Sequence, residues 1–334
     1  MKVIVDAMGG DNAPQAIIEG CMLGLKSMPD LHITLTGLSD VIEKELGKYE
    51  FDTSRINIVH ATQVIDMAEP PVEAIRHKSD SSLVKGLRLL KDGEGSVFIT
   101  AGSTGATIAG ATLIVKRLPG VKRPALAPLL PSKTGKVMLI DCGANSECRP
   151  SFLAQFALMG SAYMNRVEGI ESPRVGLVNN GAEAEKGNEL TKAAYKLLEE
   201  MPVNFKGNAE GRDLLSGDYD VIVCDGFTGN VILKFLEGAA GVLMSMLSKE
   251  LKSSLRTKIG AGLAMPAFKR FKKRMDYTEY GGALLLGVNG GVVKAHGSSN
   301  AKAILSTLRQ AAGFIKGDVV NVIKEEVSKV ALND

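Results

Sequence analysis

The chain has 334 residues, 45% hydrophobic and 23% charged, an ordinary globular usage that excludes disordered and fibrous classes. Forty Lys and Arg against 37 Asp and Glu leave a net charge of +3, too even to call for a nucleic-acid partner, and aromatics at 5% with no tryptophan offer little for base stacking. Cys21, Cys142, Cys148 and Cys224 contain no C-x-x-C pair, so neither a metal site nor a disulfide framework is expected, and the N-terminus reaches Asp6 without a signal-peptide apolar region. A reduced, cytoplasmic protein is the expectation.

In chain order, short β-branched runs at 3–5, 33–35, 56–59, 97–99, 137–140, 175–178 and 221–223 predict strands. They are continuously apolar, as strands covered on both faces are. Between them, helical patterns occupy 13–28, 81–90, 105–117, 151–166, 188–200 and 228–248, the first opened by an N-cap signal at Asn12 before Ala13-Pro14. This alternation predicts an α/β class with a doubly wound, mostly parallel sheet. Neither a repeat nor a linker interrupts it, so residues 1–334 read as a single catalytic unit with two interleaved lobes.

The strand ends share one device. Asp6-Ala7-Met8-Gly9-Gly10-Asp11, Thr100-Ala101-Gly102-Ser103-Thr104-Gly105, Asp141-Cys142-Gly143-Ala144-Asn145, Asn179-Asn180-Gly181, Cys224-Asp225-Gly226-Phe227-Thr228-Gly229-Asn230 and Ala295-His296-Gly297-Ser298 each combine glycine with polar side chains. In a parallel sheet such turns open on one carboxyl edge, where helix N-termini and close-lying backbone N–H groups suit an anion. A phosphate-binding cleft is expected there. The G-x-G-x-x-G and G-x-x-x-x-G-K-[ST] fingerprints are absent, as are H-E-x-x-H and G-x-S-x-G, which disfavours dinucleotide, P-loop, zinc-protease and serine-hydrolase chemistry. Ser82-x-x-Lys85 and Lys133-Thr134-Gly135 echo a penicillin-binding pattern by chance, Ser82 being expected on a surface helix. His296 in its turn is a candidate donor to a phosphate or oxyanion, and Lys186 in the polar loop before residue 189 a candidate phosphate contact. His32 and His60, beside strands, read as structural, and Cys142 and Cys224 as small core residues rather than nucleophiles.

At these turns the sequence resembles the bacterial phosphate acyltransferases of phospholipid synthesis, the PlsX family. The matching strings, in order along nearly the whole chain, are VDAMGGDNAP, TAGSTGA, RPALAPLLP, DCGAN, SPRVGLVNNGAEAEKGNELTK, NFKGNAEGRD, CDGFTGNVILK, YGGALLLG and KAHGSS. One departure is Ser103 where the family pattern has Asn. The resemblance implies transfer of a fatty acyl group from acyl carrier protein to inorganic phosphate, without a cofactor. It also implies a three-layer fold similar to isocitrate and isopropylmalate dehydrogenases and to phosphotransacetylases, a homodimer, and delivery of acyl-phosphate to a membrane glycerol-3-phosphate acyltransferase.

Such chemistry needs an anion cradle, oxyanion donors and orientation rather than a strong base, because phosphate is itself nucleophilic and a thiolate leaving group has a pKa of about 8.5. Lys186, Asn230, Asp225 and His296 form the candidate catalytic set, with Asp225 orienting Lys186 or His296 or holding a cation. Asp6, Gly9, Gly10, Asp11, Gly102, Ser103, Thr104, Gly105, Asn145, Asn180, Thr228, Gly229 and Ser298 form the candidate cradle. A decarboxylating dehydrogenase would need a carboxylate-bound metal; Asp218, Asp220 and Asp225 suggest one, but Asp220 precedes and Asp225 follows the same strand. A non-catalytic membrane scaffold would leave the turns idle.

Residues 249–276 break the rhythm, carrying nine basic residues against Glu250 and Asp276, a local +7 that leaves −4 for the remainder. Residues 247–276 read as a basic amphipathic helix pair. Leu247, Leu251 and Leu255 form a stripe, and Gly260, Gly262 and Pro266 interrupt the helix so that Ile259, Leu263, Met265 and Phe268 surround a break. That tip suits peripheral contact with an anionic membrane surface; a dimer contact and carrier-protein docking are the other readings. The most apolar long stretch, 235–247, includes Glu237 and falls short of the about 20 residues a spanning helix needs.

Overall fold

The computed structural model describes residues 1–275 and 280–330. Its strands are β1 Lys2–Asp6, β2 His32–Gly37, β3 Ile56–His60, β4 Val97–Thr100, β5 Ala125–Ala127, β6 Leu129–Ser132, β7 Gly135–Ile140, β8 Arg174–Asn179, β9 Asn204–Glu210, β10 Val221–Val223, β11 Ala283–Leu286 and β12 Gly291–Lys294. The helices are α1 Gln15–Ser27, α2 Ser39–Leu46, α3 Pro71–His77, α4 Ser82–Lys91, α5 Thr104–Gly110, α6 Pro150–Arg166, α7 Glu189–Glu200, α8 Gly226–Leu251, α9 Leu255–Met275, α10 Ala301–Lys316 and α11 Val319–Ser328. All seven expected strand runs are present, and their apolar residues are buried in β1, β4, β7 and β10, the strands covered on both faces.

The expectation of one sheet is corrected. Seven strands pair in the order β3-β2-β1-β4-β12-β11-β5 and five in the order β6-β7-β10-β8-β9. Both are mostly parallel: in the first, β11 runs antiparallel to β12 and β5, and in the second β6 runs antiparallel to β7. The chain changes sheet between β5 and β6, at Pro128, whose carbonyl accepts from Leu139 at 3.1 Å. Across this switch Leu126 donates to the Asp141 carboxylate at 2.8 Å and accepts from the Cys142 N–H at 2.8 Å, tying the two sheets together. Twelve of the 17 residues of α6 are buried, and it packs against β7, β8 and β10 on one side and α7 and α11 on the other.

Other local expectations change too. Asn12 does not cap α1; its side-chain amide donates to the carbonyls of Ser298 and Ser299 at 3.1 and 3.2 Å, tying the first turn to the last. The helix expected over 105–117 starts at Thr104 and closes with a π turn, Ala111–Val115. Ser82 is buried rather than on the surface, hydrogen-bonding the Asp6 carboxylate and accepting from Thr36 at its carbonyl.

The apolar stretch at 235–247 belongs to a 26-residue helix, α8, in which an 18-residue window has mean hydropathy 1.6 and no buried residue, long and apolar enough to cross a membrane by length and composition. The helix pair α8–α9 turns at Lys252-Ser253-Ser254, not at the expected glycines. Ser254 and Thr257 cap the second helix reciprocally, each side-chain oxygen accepting from the other's N–H, at 3.2 and 3.1 Å. The helix then runs unbroken through Gly260, Gly262 and Pro266. Phe235 (72%), Leu255 and Leu263 (82%) are exposed along the pair, with Ile259 and Met265, whereas Phe268 is half-buried. Asp276, the last residue of the basic segment, lies outside the described residues.

Candidate active site

The three central strands β1, β4 and β12 end side by side, and their turns are bonded to one another. Asp6, 2% exposed, accepts from Thr100 Oγ1 at 2.7 Å and from the Met8 N–H at 3.1 Å. Burial pushes its carboxyl up, while hydrogen bonds from Ser82, Thr100, Met8 and Gly9 act to lower it. Gly102 donates to Thr100 Oγ1 at 3.0 Å, Asp11 donates its N–H to Gly297 at 2.8 Å, and Ala295 donates to the Thr100 carbonyl at 2.9 Å. Gly10 sits at φ +99° with room for no side chain, 2.8 Å from the Gly297 carbonyl to an added Cβ. Ser103 caps α5 by accepting from Ala106 at 3.4 Å.

The second sheet contributes β7 and β10. Asp141, fully buried, accepts from Leu126, Ala144 and Asn145 N–H groups and from Asn145 Nδ2, which lower its carboxyl against a dominant upward push from burial. Asn145 spends both side-chain hydrogens structurally, on Asp141 at 2.9 Å and the Pro124 carbonyl at 2.7 Å. Asp225 caps α8, accepting from Thr228 N at 2.9 Å and Thr228 Oγ1 at 2.7 Å. An added Cβ on Gly229 would lie 1.9 Å from the Asp141 carbonyl oxygen, so only glycine lets this helix reach the turn after β7. That contact sets Asn230 over Gly143.

Between the two sheets lies a cleft of about 560 Å³. Of the expected site residues, Asp11, Thr104, Gly105, Asn230, His296 and Ser298 line it together. Met67, Ile108, Leu129, Leu130 and Leu233 add apolar lining to it. The Ser298 N–H donates to His296 Nδ1 at 3.3 Å, which assigns the ring proton of the neutral form to Nε2. Asp6, Gly9, Gly10, Gly102, Ser103 and Gly229 stand behind the lining as scaffold. Asn180, Asp225 and Thr228 instead line a separate hollow of about 480 Å³ beside α7. Lys186 is exposed on the loop before α7 and is not brought into the cleft.

The sequence reading leaves out Lys294, at the end of β12. It is 7% exposed, lines the cleft, and donates Nζ to the carbonyls of Ala101 (3.2 Å) and Ala295. Burial pulls its amine down to about 8. The sequence signals are a lysine closing the apolar run Gly291-Val292-Val293 and its place as the first residue of the matching string KAHGSS. Cys142 and Cys224 are both 3% exposed, with thiols pushed well up by burial, and behave as core residues. Asp220 sits at the opposite end of β10 from Asp225, in a bidentate pair with Arg174 at 2.9 Å, so the carboxylates suggesting a metal site do not converge.

Two mostly parallel sheets meeting at a cleft of strand-end turns define an α/β enzyme with the fold of the phosphotransacetylases. A phosphotransacetylase from Streptococcus pyogenes superposes with TM-score 0.62 at 18% identity, over 96% of this chain and 94% of that one. A branched-chain phosphotransacylase from Enterococcus faecalis superposes at 0.55 and 12% identity, over 94% and 100% of the two chains. The chain belongs to the fatty acid synthesis protein family, the PlsX family of the sequence resemblance, whose pattern spans residues 1–322. Relatives named phosphate acyltransferase in Clostridium perfringens and Clostridium tetani are each 50% identical, covering 100% and 99% of this chain and 99% of each relative. It is an acyltransferase.

Proposed function

We propose that the enzyme transfers a fatty acyl group from acyl carrier protein to inorganic phosphate, giving acyl-phosphate for phospholipid synthesis. The observation that carries this reading is the cleft itself, which pairs polar turn residues with an apolar lining suited to an acyl chain. A phosphate oxygen attacks the thioester carbonyl; the new C–O bond forms, the C–S bond breaks, and the carrier's thiolate leaves and takes up a proton. Asn230 and His296 Nε2–H are the donors assigned to the carbonyl oxygen as it becomes an oxyanion, a contribution of about 3–4 kcal/mol for one such donor. Because residues from both sheets line the cleft, the sheets act as lobes of one catalytic unit, the arrangement also found in isopropylmalate dehydrogenase-type folds.

The exposed apolar faces of α8 and α9, flanked by Lys249, Lys252, Arg256, Lys258, Lys269 and Arg270, support homodimer formation along α8 and contact of the α9 tip with an anionic membrane surface. Such a surface would bring acyl-phosphate to a membrane glycerol-3-phosphate acyltransferase. Incubating the enzyme with acylated carrier protein and radiolabelled phosphate tests the reading: label enters an extractable acyl-phosphate as free carrier thiol is released. Thiol release with no label in an acyl-phosphate would contradict it.

A further inference from the structure

Among the groups lining the cleft, the charges differ in how they are compensated. Lys234 is paired with Glu237 at 3.0 Å, and His296 is held by Ser298. Lys294 is held by two neutral carbonyls, with Asp6 and Asp11 acting on it at longer range. A buried ammonium without a bonded anion is costly, and a site that keeps one is built to receive an anion. The place of this amine is fixed from three sides: β12 carries it, Ala101 after β4 holds it, and the Asp11–Gly297 bond closes the β1 turn beside it. Ser298 and Ser299, ahead of the 16-residue α10, line the cleft with Lys294.

We propose that Lys294 is the cation on which the phosphate substrate is anchored, holding it at the meeting point of the β1, β4 and β12 turns, opposite Asn230 and Gly143. This rests on the function proposed above and adds to it the group that positions the nucleophile. Phosphate binding supplies a directly bonded anion, and the amine's bonds to the Ala101 and Ala295 carbonyls keep it from following the substrate. The downward push of burial on the amine accords with this: a bound dianion favours the charged form.

The test is binding of inorganic phosphate, measured by calorimetry without acyl donor, in wild type, Lys294→Met and Lys294→Arg, beside steady-state kinetics with acylated carrier protein. Lys294→Met should weaken phosphate binding, and raise KM for phosphate, by at least about tenfold, the scale of one charge-assisted bond. KM for the carrier should change less than about twofold, and Lys294→Arg should recover part of the phosphate affinity. Unchanged phosphate binding in Lys294→Met, or none in the wild type at millimolar phosphate, overturns the proposal.

Should Lys294→Met fail to fold, the pH dependence of phosphate binding with Lys294 in place decides. Among the described residues, the other charged or titratable groups that line the cleft or act on the amine are Asp6 and Asp11 on the β1 side, Cys142 after β7, Lys234 and Glu237 on α8, and His296 on the β12 turn. Measured in His296→Gln to remove the imidazole, phosphate affinity should fall about tenfold per pH unit above about pH 8; affinity flat to pH 10 overturns the proposal. Phosphate binding that depends on Lys294 without acyl transfer would refute the proposed function and leave this assignment standing. Undiminished transfer by Lys294→Met would do the reverse.

Discussion

Replacing Gly229 by alanine should disable the site while leaving most of the fold. An added Cβ would lie 1.9 Å from the Asp141 carbonyl oxygen and 2.9 Å from Cys224 Sγ. Ordinary contact begins near 3.4 Å, so the start of α8 must retreat by about 1.5 Å, and no side-chain rotation relieves a clash with backbone. Overpacking of this kind costs about 1–3 kcal/mol. The retreat also carries Asn230 away from Gly143, and a misplacement of about 1 Å in a positioned group costs on the order of a hundredfold in rate. The expected outcome is a cooperative folded protein, about 1–3 kcal/mol less stable in urea titration, whose kcat/KM for acyl transfer falls at least a hundredfold. Gly238→Ala on the same helix, with nothing within 4 Å of the new Cβ, is the control and should gain up to about 1 kcal/mol. Activity within threefold of wild type in Gly229→Ala would refute the argument that this contact sets the site.

Asn230→Ala should lower kcat/KM at least tenfold with little change in stability, read by phosphate-dependent release of carrier thiol; near-normal turnover removes it from the oxyanion site. Lys186→Ala should lower phosphate-dependent turnover about tenfold if its loop folds over the cleft during reaction, and unchanged turnover leaves Lys186 as an exposed loop charge. The Lys294 amine is held at about 8 in the folded enzyme against about 10.4 for an ordinary lysine, so between those pH values the unfolded chain binds more protons and stability rises with pH. Urea midpoints across pH 7.5–10.5 should therefore show wild type gaining about 3 kcal/mol relative to Lys294→Met, and a flat difference would contradict the burial argument. Anionic vesicles should float the enzyme in a salt-sensitive way, and Leu263→Glu with Phe268→Glu should abolish it; equal binding to neutral vesicles would refute a basic membrane face.

The strands of the two sheet centres are legible because burial on both faces writes an uninterrupted apolar run, as in Val3-Ile4-Val5 and Val221-Ile222-Val223. Edge and connecting strands lack that signal. β9 reads Asn-Phe-Lys-Gly-Asn-Ala-Glu with Gly207 at φ +92°, and β5 has three residues bounded by prolines. Division into two sheets is invisible to local pattern, since pairing is decided by residues far apart in sequence. The glycine-rich turns do mark the cleft, but several of their residues act one layer back: Gly229 admits a helix, Asn145 steadies Asp141, and Asp225 caps α8. Lys294 escapes notice because a lysine ending a strand looks solvent-exposed until the neighbouring turns close over it. Gly260, Gly262 and Pro266 predict a break that α9 does not make, the proline needing only to release the carbonyl of exposed Gly262.

The central claim is that phosphate attacks an acyl thioester presented by a carrier protein. Its most direct measurement is the release of free carrier thiol from acylated carrier protein as phosphate is titrated. The account predicts release that saturates with phosphate and yields one acyl-phosphate per thiol. Release at the same rate without phosphate, or no release from the acylated carrier at any phosphate concentration, would contradict it.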